Sequence, residues 1–277
     1  MSSSFEAVKA RHRLAWGMGV EGYAKHSVPE LGPIADRVIE IADPAWDSSV
    51  IDIACGPGTA TLRAAKRVGP GGQVVGVDLA PQMIAYAERR ALAEGFANVT
   101  FMEGDAEQLE GVPDAAFDTA ISNFGVIFAP EAERMIDAVA RVLRPGGTFA
   151  FSAWVERGIA VELNEFLAAI LPPSPEGATN RASWGDPALA TERLAPRFDD
   201  VTWTDIETPI EHANVDEAWL RMREGRPPFA LAYGRMPLDQ KQAIEEQARA
   251  LFRKYADDDG RVRYVRYAGV VRGTRRA

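Results

Sequence analysis

Cysteine and histidine are scarce in this sequence: the 277 residues include one cysteine, Cys55, and three histidines. One cysteine cannot form an intramolecular disulfide or a thiolate metal cluster. No two histidines have the spacing of metal ligands, so we expect no metal. The sequence also lacks an apolar run of about 18 residues and an apolar N-terminal leader. These absences predict a cytoplasmic protein with no stable membrane insertion.

Positive charge is also in deficit, since 31 Lys and Arg stand against 40 Asp and Glu and give a net charge of -9. Broad contact with a phosphate backbone needs clustered basic residues, so nucleic acid is not an expected partner. Arginines do cluster near the end of the sequence, between positions 261 and 276. We interpret them as a solvated strand face. The oligomeric state stays open.

Short apolar runs alternate with helical patterns, and this order predicts a parallel sheet with helices on both faces. We expect strands at 49–54, 73–78, 99–103, 117–122 and 148–154. Two further strands, at 201–211 and 261–272, flank a helical insert at 214–256. The predicted fold class is therefore α/β: a doubly wound, seven-stranded, mostly parallel Rossmann-like sheet with an antiparallel late strand and helical cap segments.

A Gly56-Pro-Gly58 turn follows the first strand and opens a helix. Glycines let the backbone approach a ligand and leave the N–H groups of the helix start facing it. Asp78 ends the next strand, where its carboxylate can accept two ribose hydroxyls. These two features alone leave a nicotinamide dinucleotide and other nucleoside-type cofactors equally open. Thr61 argues against the dinucleotide, because that fingerprint has Gly or Ala there.

Asp105 follows the third strand, where it can accept a hydrogen bond from an adenine amino group. The backbone N–H of the next residue, Ala106, can face a ring nitrogen. The fourth strand ends in Ser122 and Asn123 at the carboxyl edge of the predicted sheet, the edge at which ligands bind in such folds.

Five segments in this order resemble the successive motifs of class I S-adenosylmethionine-dependent methyltransferases, most closely the ubiquinone/menaquinone-biosynthesis-like small-molecule group. The segments are VIDIACGPGT (50–59), GVDL (76–79), EGDAE (103–107), FD (117–118) and VLRPGG (142–147). The resemblance implies S-adenosyl-L-methionine as cofactor and transfer of its methyl group to the O, N or C of a small, apolar or aromatic metabolite. Two alternatives remain: a protein that binds S-adenosylmethionine without methyl transfer, and a nicotinamide-dependent oxidoreductase.

The resemblance covers about residues 48–154, and together with the helix and strand patterns of the flanks it divides the chain into three parts. Residues 1–45 are expected to form an N-terminal helical lid, and 46–155 the S-adenosylmethionine-binding core. Residues 156–277 are expected to hold helical cap insertions and the last two strands of the same sheet. Apolar and aromatic cap residues either wall a substrate pocket or form the core of the cap.

Carried over position by position, the resemblance implies a cofactor-binding role for Tyr23, Asp52, Gly56, Gly58, Asp78, Leu79, Met83, Asp105, Ala106, Ser122 and Asn123. The two glycines are expected to border the methionine portion and the ribose. Leu79 and Met83 are expected to pack on the adenine. Asn123, or the carbonyl of Ser122, is expected near the methionyl amine or the sulfonium. Tyr23 is expected to close over this end from the lid.

Several of these residues have a second interpretation. Asp52 binds the cofactor amine through water or only holds the N–H groups of the following loop, and Met83 is alternatively a core residue. The family often has glycine where Ala54 stands. No general base is assigned. His26 and His212 are candidates because an imidazole titrates near neutrality, and each is alternatively a hydrogen-bonding or solvated histidine.

Overall fold

The structure, a computed structural model, describes residues 3–277, so the first two residues of the expected lid lie outside the described range. Its helices are α1 (Ser3–Met18), α2 (Val20–His26), α3 (Val28–Ala42), α4 (Thr59–Val68), α5 (Pro81–Ala93), α6 (Ala132–Val142), α7 (Ile159–Ala168), α8 (Pro187–Leu194), α9 (Val215–Gly225), α10 (Pro227–Gly234) and α11 (Leu238–Arg253). Its strands are β1 (Ser49–Ile53), β2 (Gln73–Asp78), β3 (Val99–Glu103), β4 (Phe117–Asn123), β5 (Leu143–Trp154), β6 (Phe198–His212) and β7 (Val262–Arg275).

The strands form one sheet in the order β3-β2-β1-β4-β5-β7-β6. Strands β1 to β5 pair in parallel, and β7 runs antiparallel to both of its neighbours, β5 and β6. This topology confirms the predicted α/β fold with one antiparallel late strand. Successive strands extend in opposite directions from the β1–β4 pair. The carboxyl ends of β1 and β4 therefore flank the switch point where such folds bind ligands.

Strand β1 shows why the strands in the first half of the chain can be predicted from short apolar runs. Val50, Ile51 and Ile53 are fully buried, as expected for a central parallel strand covered on both faces. On one face, the small residues Ala60 and Ala64 of α4 join Val50 in the same apolar cluster. Each Val or Ile buried in this way contributes about 1.5–3 kcal/mol of hydrophobic free energy.

Strands β6 and β7 are longer than the sequence predicts. They stay paired from Phe198 with Arg275 to His212 with Val262, whereas β7 pairs with β5 only over 268–274. The two strands therefore project as a ribbon beyond the end of β5. The buried side chain of Val262, at the projecting end of this ribbon, packs in the cap core. This end of the ribbon therefore anchors the cap helices.

The cap has an apolar core of its own, formed by α7, α9, α10 and α11. Trp219, Met222 and Phe252 are buried in it. Trp184 packs instead against Phe151 of the sheet, with ring centroids 5.3 Å apart. The cap-core interpretation therefore applies to Trp219, Met222 and Phe252, whereas Trp184 belongs to the core of the sheet. None of the helices described is long and apolar enough to cross a membrane.

Candidate functional site

The loop after β1 turns sharply at the carboxyl edge of the sheet. Ala54 and Gly56 both have φ of +54° and Gly58 has +78°; the left-handed region explains why glycine suits the position of Ala54. A Cβ on Gly56 would meet no atom within 4 Å, whereas one on Gly58 would lie 3.3 Å from the Cβ of Ala87. Gly56 therefore faces open space, and Gly58 permits close packing against α5 instead of bordering that space.

Asp78, at the end of β2, holds this loop in place. Its Oδ2 accepts the N–H of Gly56 at 2.8 Å, and its Oδ1 accepts the N–H of Ala80 at 2.9 Å. A carboxylate offers about four lone-pair sites, so further acceptor capacity remains beside the pocket that Asp78 lines. Burial raises the pKa of Asp78 to about 6, although both N–H donors act in the opposite direction.

The strand ends enclose a cavity that we call the strand-end pocket, with a volume of about 760 Å³ including its open mouth. Ligand pockets commonly have volumes of this size. The predicted site residues that line it are Tyr23, Gly56, Asp78, Leu79, Met83, Asp105, Ala106 and Asn123. The structure thus brings together residues of the lid and of four separate strand ends.

Asp105 belongs to a buried ion-pair cluster with the lid. Lys9 of α1 lies 2.7 Å from Asp105 Oδ2 and 2.5 Å from Glu107 Oε2. The side chains of Lys9 and Glu107 are 7% and 1% exposed, so these charges are largely removed from water. The cluster fixes Asp105 at the pocket and docks α1 on the loop after β3.

Asp52 is fully buried beneath the β1 loop. Its Oδ2 accepts the hydroxyl of Thr61 at 2.6 Å, while Oδ1 has no hydrogen-bond partner among the described residues. Burial raises the pKa of Asp52 to about 7. A small recess beside the strand-end pocket is lined by Asp52, Tyr23 and Asn123, so this unpartnered oxygen adjoins the site.

Replacing Thr61 by valine is expected to lower the free energy of unfolding by about 1–3 kcal/mol, because Asp52 would lose a buried hydrogen-bond donor. Urea unfolding measures the change. Thr61→Ser keeps the hydroxyl and serves as the matched control. Equal unfolding midpoints for Thr61→Val and the parent protein would contradict this account of Thr61.

Ser122 and Asn123 end β4 in different roles. The Ser122 hydroxyl donates to the carbonyl of Ile53 at 2.7 Å and accepts the N–H of Val126 at 3.1 Å, so this side chain joins β4 to β1. Asn123 lines the strand-end pocket, and its Oδ1 accepts the hydroxyl of Ser152 at 2.9 Å. Asn123 is therefore the β4 side chain that faces the site.

A second cavity, which we call the cap pocket, lies between the strand ends and the cap. It shares Trp16, Tyr23, Phe124 and Phe128 with the strand-end pocket. Its further lining includes Trp154, Glu156, Arg181, Arg226, Phe229 and Arg266. The four shared aromatic side chains mark the boundary at which ligands in the two pockets would meet.

The structure does not bring His26 or His212 to either pocket. The Nε2 of His26 lies 3.1 Å from Glu224 Oε2, and the Nε2 of His212 lies 2.9 Å from the Tyr264 hydroxyl. Both imidazoles are buried. Burial is also the main cause that lowers the pKa of His212 to about 4. Neither position supports a role as general base.

Sequence reasoning missed His12, which lines the strand-end pocket. The signal was its helical spacing, since His12 stands one turn before Trp16, another lining residue, on α1. Its ring meets Phe128 edge-on at 5.8 Å. Burial and the nearby Arg11 and Arg181 lower its pKa to about 4, so its imidazole is neutral at neutral pH.

The fold and this site together define a doubly wound domain with a pocket for a nucleoside-type cofactor. Residues 50–147 match the family model of a methyltransferase domain. The solved structure of the YcgJ protein from Bacillus subtilis aligns with a TM-score of 0.58 and 22% identity, over 90% of this chain and 98% of that one. The match to the family model shows that residues 50–147 form a class I S-adenosylmethionine-dependent methyltransferase domain.

Two relatives are similar in sequence. An uncharacterized protein of Mycobacterium tuberculosis is 32% identical over 192 residues, which cover 68% of this chain and 66% of that protein. The aklanonic acid methyltransferase DauC of Streptomyces sp. is 36% identical over 135 residues, covering 49% of this chain and 61% of DauC. The matches therefore span just under two thirds of each relative's length. S-adenosylmethionine is the cofactor of the family.

Proposed function

We propose that this protein transfers the methyl group of S-adenosylmethionine to an O, N or C atom of a small, apolar or aromatic metabolite. The observation that carries the proposal is the pair of adjoining pockets. One is lined by Gly56, Asp78 and Asp105 at the strand ends, and the other is walled by cap residues. The similarity to DauC, whose name specifies a methyltransferase for aklanonic acid, supports a small organic acceptor.

The residues present fit the cofactor. Gly56 leaves space that a side chain would fill, and Asp78 has spare acceptor capacity for ribose hydroxyls. Asp105 is positioned to accept from the adenine amino group. The unpartnered Oδ1 of Asp52 offers an acceptor to the methionyl ammonium. We propose these roles together with adenine packing by Leu79 and Met83.

When bound, S-adenosylmethionine would supply an electrophilic methyl group on its sulfonium, with S-adenosylhomocysteine as the leaving group. The chain has to align the acceptor and exclude water, and such positioning accounts for much of the rate in reactions of this type. Trp16, Tyr23, Phe124 and Phe128 line both pockets, so they are placed to orient the acceptor and to shield the reacting atoms. We propose that residues 1–45 act as the lid on the 46–155 core.

A product-mass screen tests the proposal. Incubation with S-adenosylmethionine and a panel of apolar and aromatic metabolites should yield S-adenosylhomocysteine together with one acceptor that is heavier by a methylene. The Asp78→Asn variant is the control that should show neither product. Tight cofactor binding with no methylated product from any acceptor would favour a protein that only binds S-adenosylmethionine.

Cofactor affinity should depend on pH. Ionised Asp78 accepts both ribose hydroxyls, and its pKa in the free protein is raised to about 6 by burial. Binding of S-adenosylhomocysteine should therefore weaken about tenfold per pH unit below pH 6, measured by calorimetry.

Ionisation of Asp78 should affect the stability of the free protein in the direction opposite to its effect on cofactor binding. Because the folded-state pKa lies above the model value of 3.8, the folded state holds more protons than the unfolded state between about pH 4 and 6. The contribution of Asp78 to the free energy of unfolding should then fall as pH rises through this window. For the binding prediction, an affinity for S-adenosylhomocysteine that stays constant from pH 5 to 7 would contradict the role of Asp78 in binding the ribose.

We also propose that the protein acts in the cytoplasm on a free metabolite and without a nucleic acid partner. The net charge of -9 supports this proposal, since it disfavours broad contact with a phosphate backbone.

A further inference from the structure

Two of the three arginines that line the cap pocket have no acidic partner within ion-pair distance among the described residues. Within residues 3–277, Arg181 and Arg226 make no ion pair within 4.0 Å and no side-chain hydrogen bond; Arg181 lies 5.2 Å from the Phe128 ring centroid. Arg266 stacks on the Trp154 ring at 3.5 Å and lies 4.0 Å from Glu30. Arg266 is therefore an exception to the interpretation of the arginines between positions 261 and 276 as a solvated strand face, because its side chain packs on Trp154.

Two carboxylates, Glu30 and Glu156, act on these three arginines. Glu156 is the one carboxylate in the lining of the cap pocket, and it accepts the amide of Asn164 at 2.7 Å. Glu30 lies outside that lining and also serves Arg221, at 3.5 Å. The cap pocket thus has a positive excess inside a protein whose net charge is -9.

The positive charges of these arginines destabilise the free protein because they lie close together and partly out of water. Burial, together with the charge of Arg226, lowers the pKa of Arg266 to about 10. Desolvation also lowers the pKa of Arg181, with a smaller contribution from Arg226, although Arg181 is still exposed to solvent. Like charges in a partly desolvated pocket destabilise the free protein unless a partner of opposite sign arrives.

We propose that the methyl acceptor carries a carboxylate on an apolar, aromatic frame, and that Arg181 and Arg226 bind this carboxylate. The planar guanidinium suits bidentate binding of carboxylates, and Phe124, Trp154 and Phe229 supply apolar walls. The arginines line the cap pocket but not the strand-end pocket, so the bound carboxylate lies away from the reacting atom and orients the acceptor. This inference rests on the proposed methyl transfer and names the substrate class of the same site.

The test compares probes that differ in charge. The full chain, saturated with S-adenosylhomocysteine, is titrated calorimetrically with 2-naphthoate and with its uncharged amide, 2-naphthamide. Charge-assisted hydrogen bonds contribute about 1.5–3 kcal/mol each, so 2-naphthoate should bind at least about tenfold more tightly. Arg181→Gln and Arg226→Gln should each remove most of this preference and leave the affinity for 2-naphthamide unchanged. Arg226→Lys should keep part of it.

Arg235 provides the matched control, because it lines a neighbouring groove but not the cap pocket. Arg235→Gln should keep the full preference. Equal or absent binding of the two probes, or a preference that survives in the Arg181→Gln/Arg226→Gln double variant, would overturn the proposal. Tighter binding of 2-naphthyl phosphate than of 2-naphthoate would overturn the choice of a carboxylate. Binding of S-adenosylhomocysteine, titrated first, separates these failures from failure of the proposed function.

Discussion

Asp78→Asn should weaken binding of S-adenosylhomocysteine by about 100-fold. The substitution removes the charge from hydrogen bonds that contribute about 1.5–3 kcal/mol each, and each 1.4 kcal/mol changes affinity about tenfold. It also removes one acceptor from the pair that holds the N–H groups of Gly56 and Ala80, so the β1 loop loses part of its anchor. Calorimetric titration measures the affinity.

Asp114→Asn is the matched control for this prediction. Asp114 is an aspartate that pairs with Arg141 at 2.5 Å; its side chain is 74% exposed, and it does not line the strand-end pocket. Its replacement should leave the affinity unchanged. A loss of less than about threefold in Asp78→Asn, in protein that unfolds at the parent temperature, would argue against Asp78 as the ribose-binding residue.

Lys9→Met should lower the free energy of unfolding by about 3–5 kcal/mol, the cost of leaving a buried charge without its partner. Glu107 would be that charge, because its side chain is 1% exposed. The N–H of Glu131, at 2.7 Å from Glu107 Oε1, would remain but carries no full charge. Urea unfolding measures the change.

Arg13→Met is the matched control, because it removes a solvent-exposed ion pair from the same helix. Arg13 pairs with Glu103 while both side chains are nearly half exposed, and exposed pairs contribute only about 0–1 kcal/mol. Adding Glu107→Gln to Lys9→Met should recover part of the lost stability, because the buried charge is then removed. Equal effects of Lys9→Met and Arg13→Met would contradict a buried role for Lys9.

The parallel half of the sheet was predictable because its signals are local. The strand from Ser49 to Ile53 is an apolar run that ends at a glycine turn, and the structure begins and ends that strand within one residue of the prediction. The β6–β7 ribbon was predicted too short. Most of the residues missed are 198–200 and 273–275, at the end away from the cap, where Phe198 pairs with Arg275. That pairing joins segments far apart in the sequence, so no local pattern contains it.

The candidate site was predictable where one motif places a residue at a strand end, as for Asp78 and Asp105. It was not predictable where distant segments meet. Lys9 pairs with Asp105 across 96 positions, and neither helical period nor motif spacing predicts that contact. Arg266 shares its strand parity with the buried Val262 and not with the exposed Arg263, so the strand period separates it from the exposed arginines. The sequence does not show that its side chain stacks on Trp154.

The central claim is that the strand-end pocket binds S-adenosylmethionine, and one calorimetric comparison tests it most directly. The parent protein is titrated with S-adenosylhomocysteine and, under the same conditions, with NAD⁺. The account predicts one site for S-adenosylhomocysteine and no heat of binding for NAD⁺. Binding of NAD⁺ in preference to S-adenosylhomocysteine, or of neither, would contradict it.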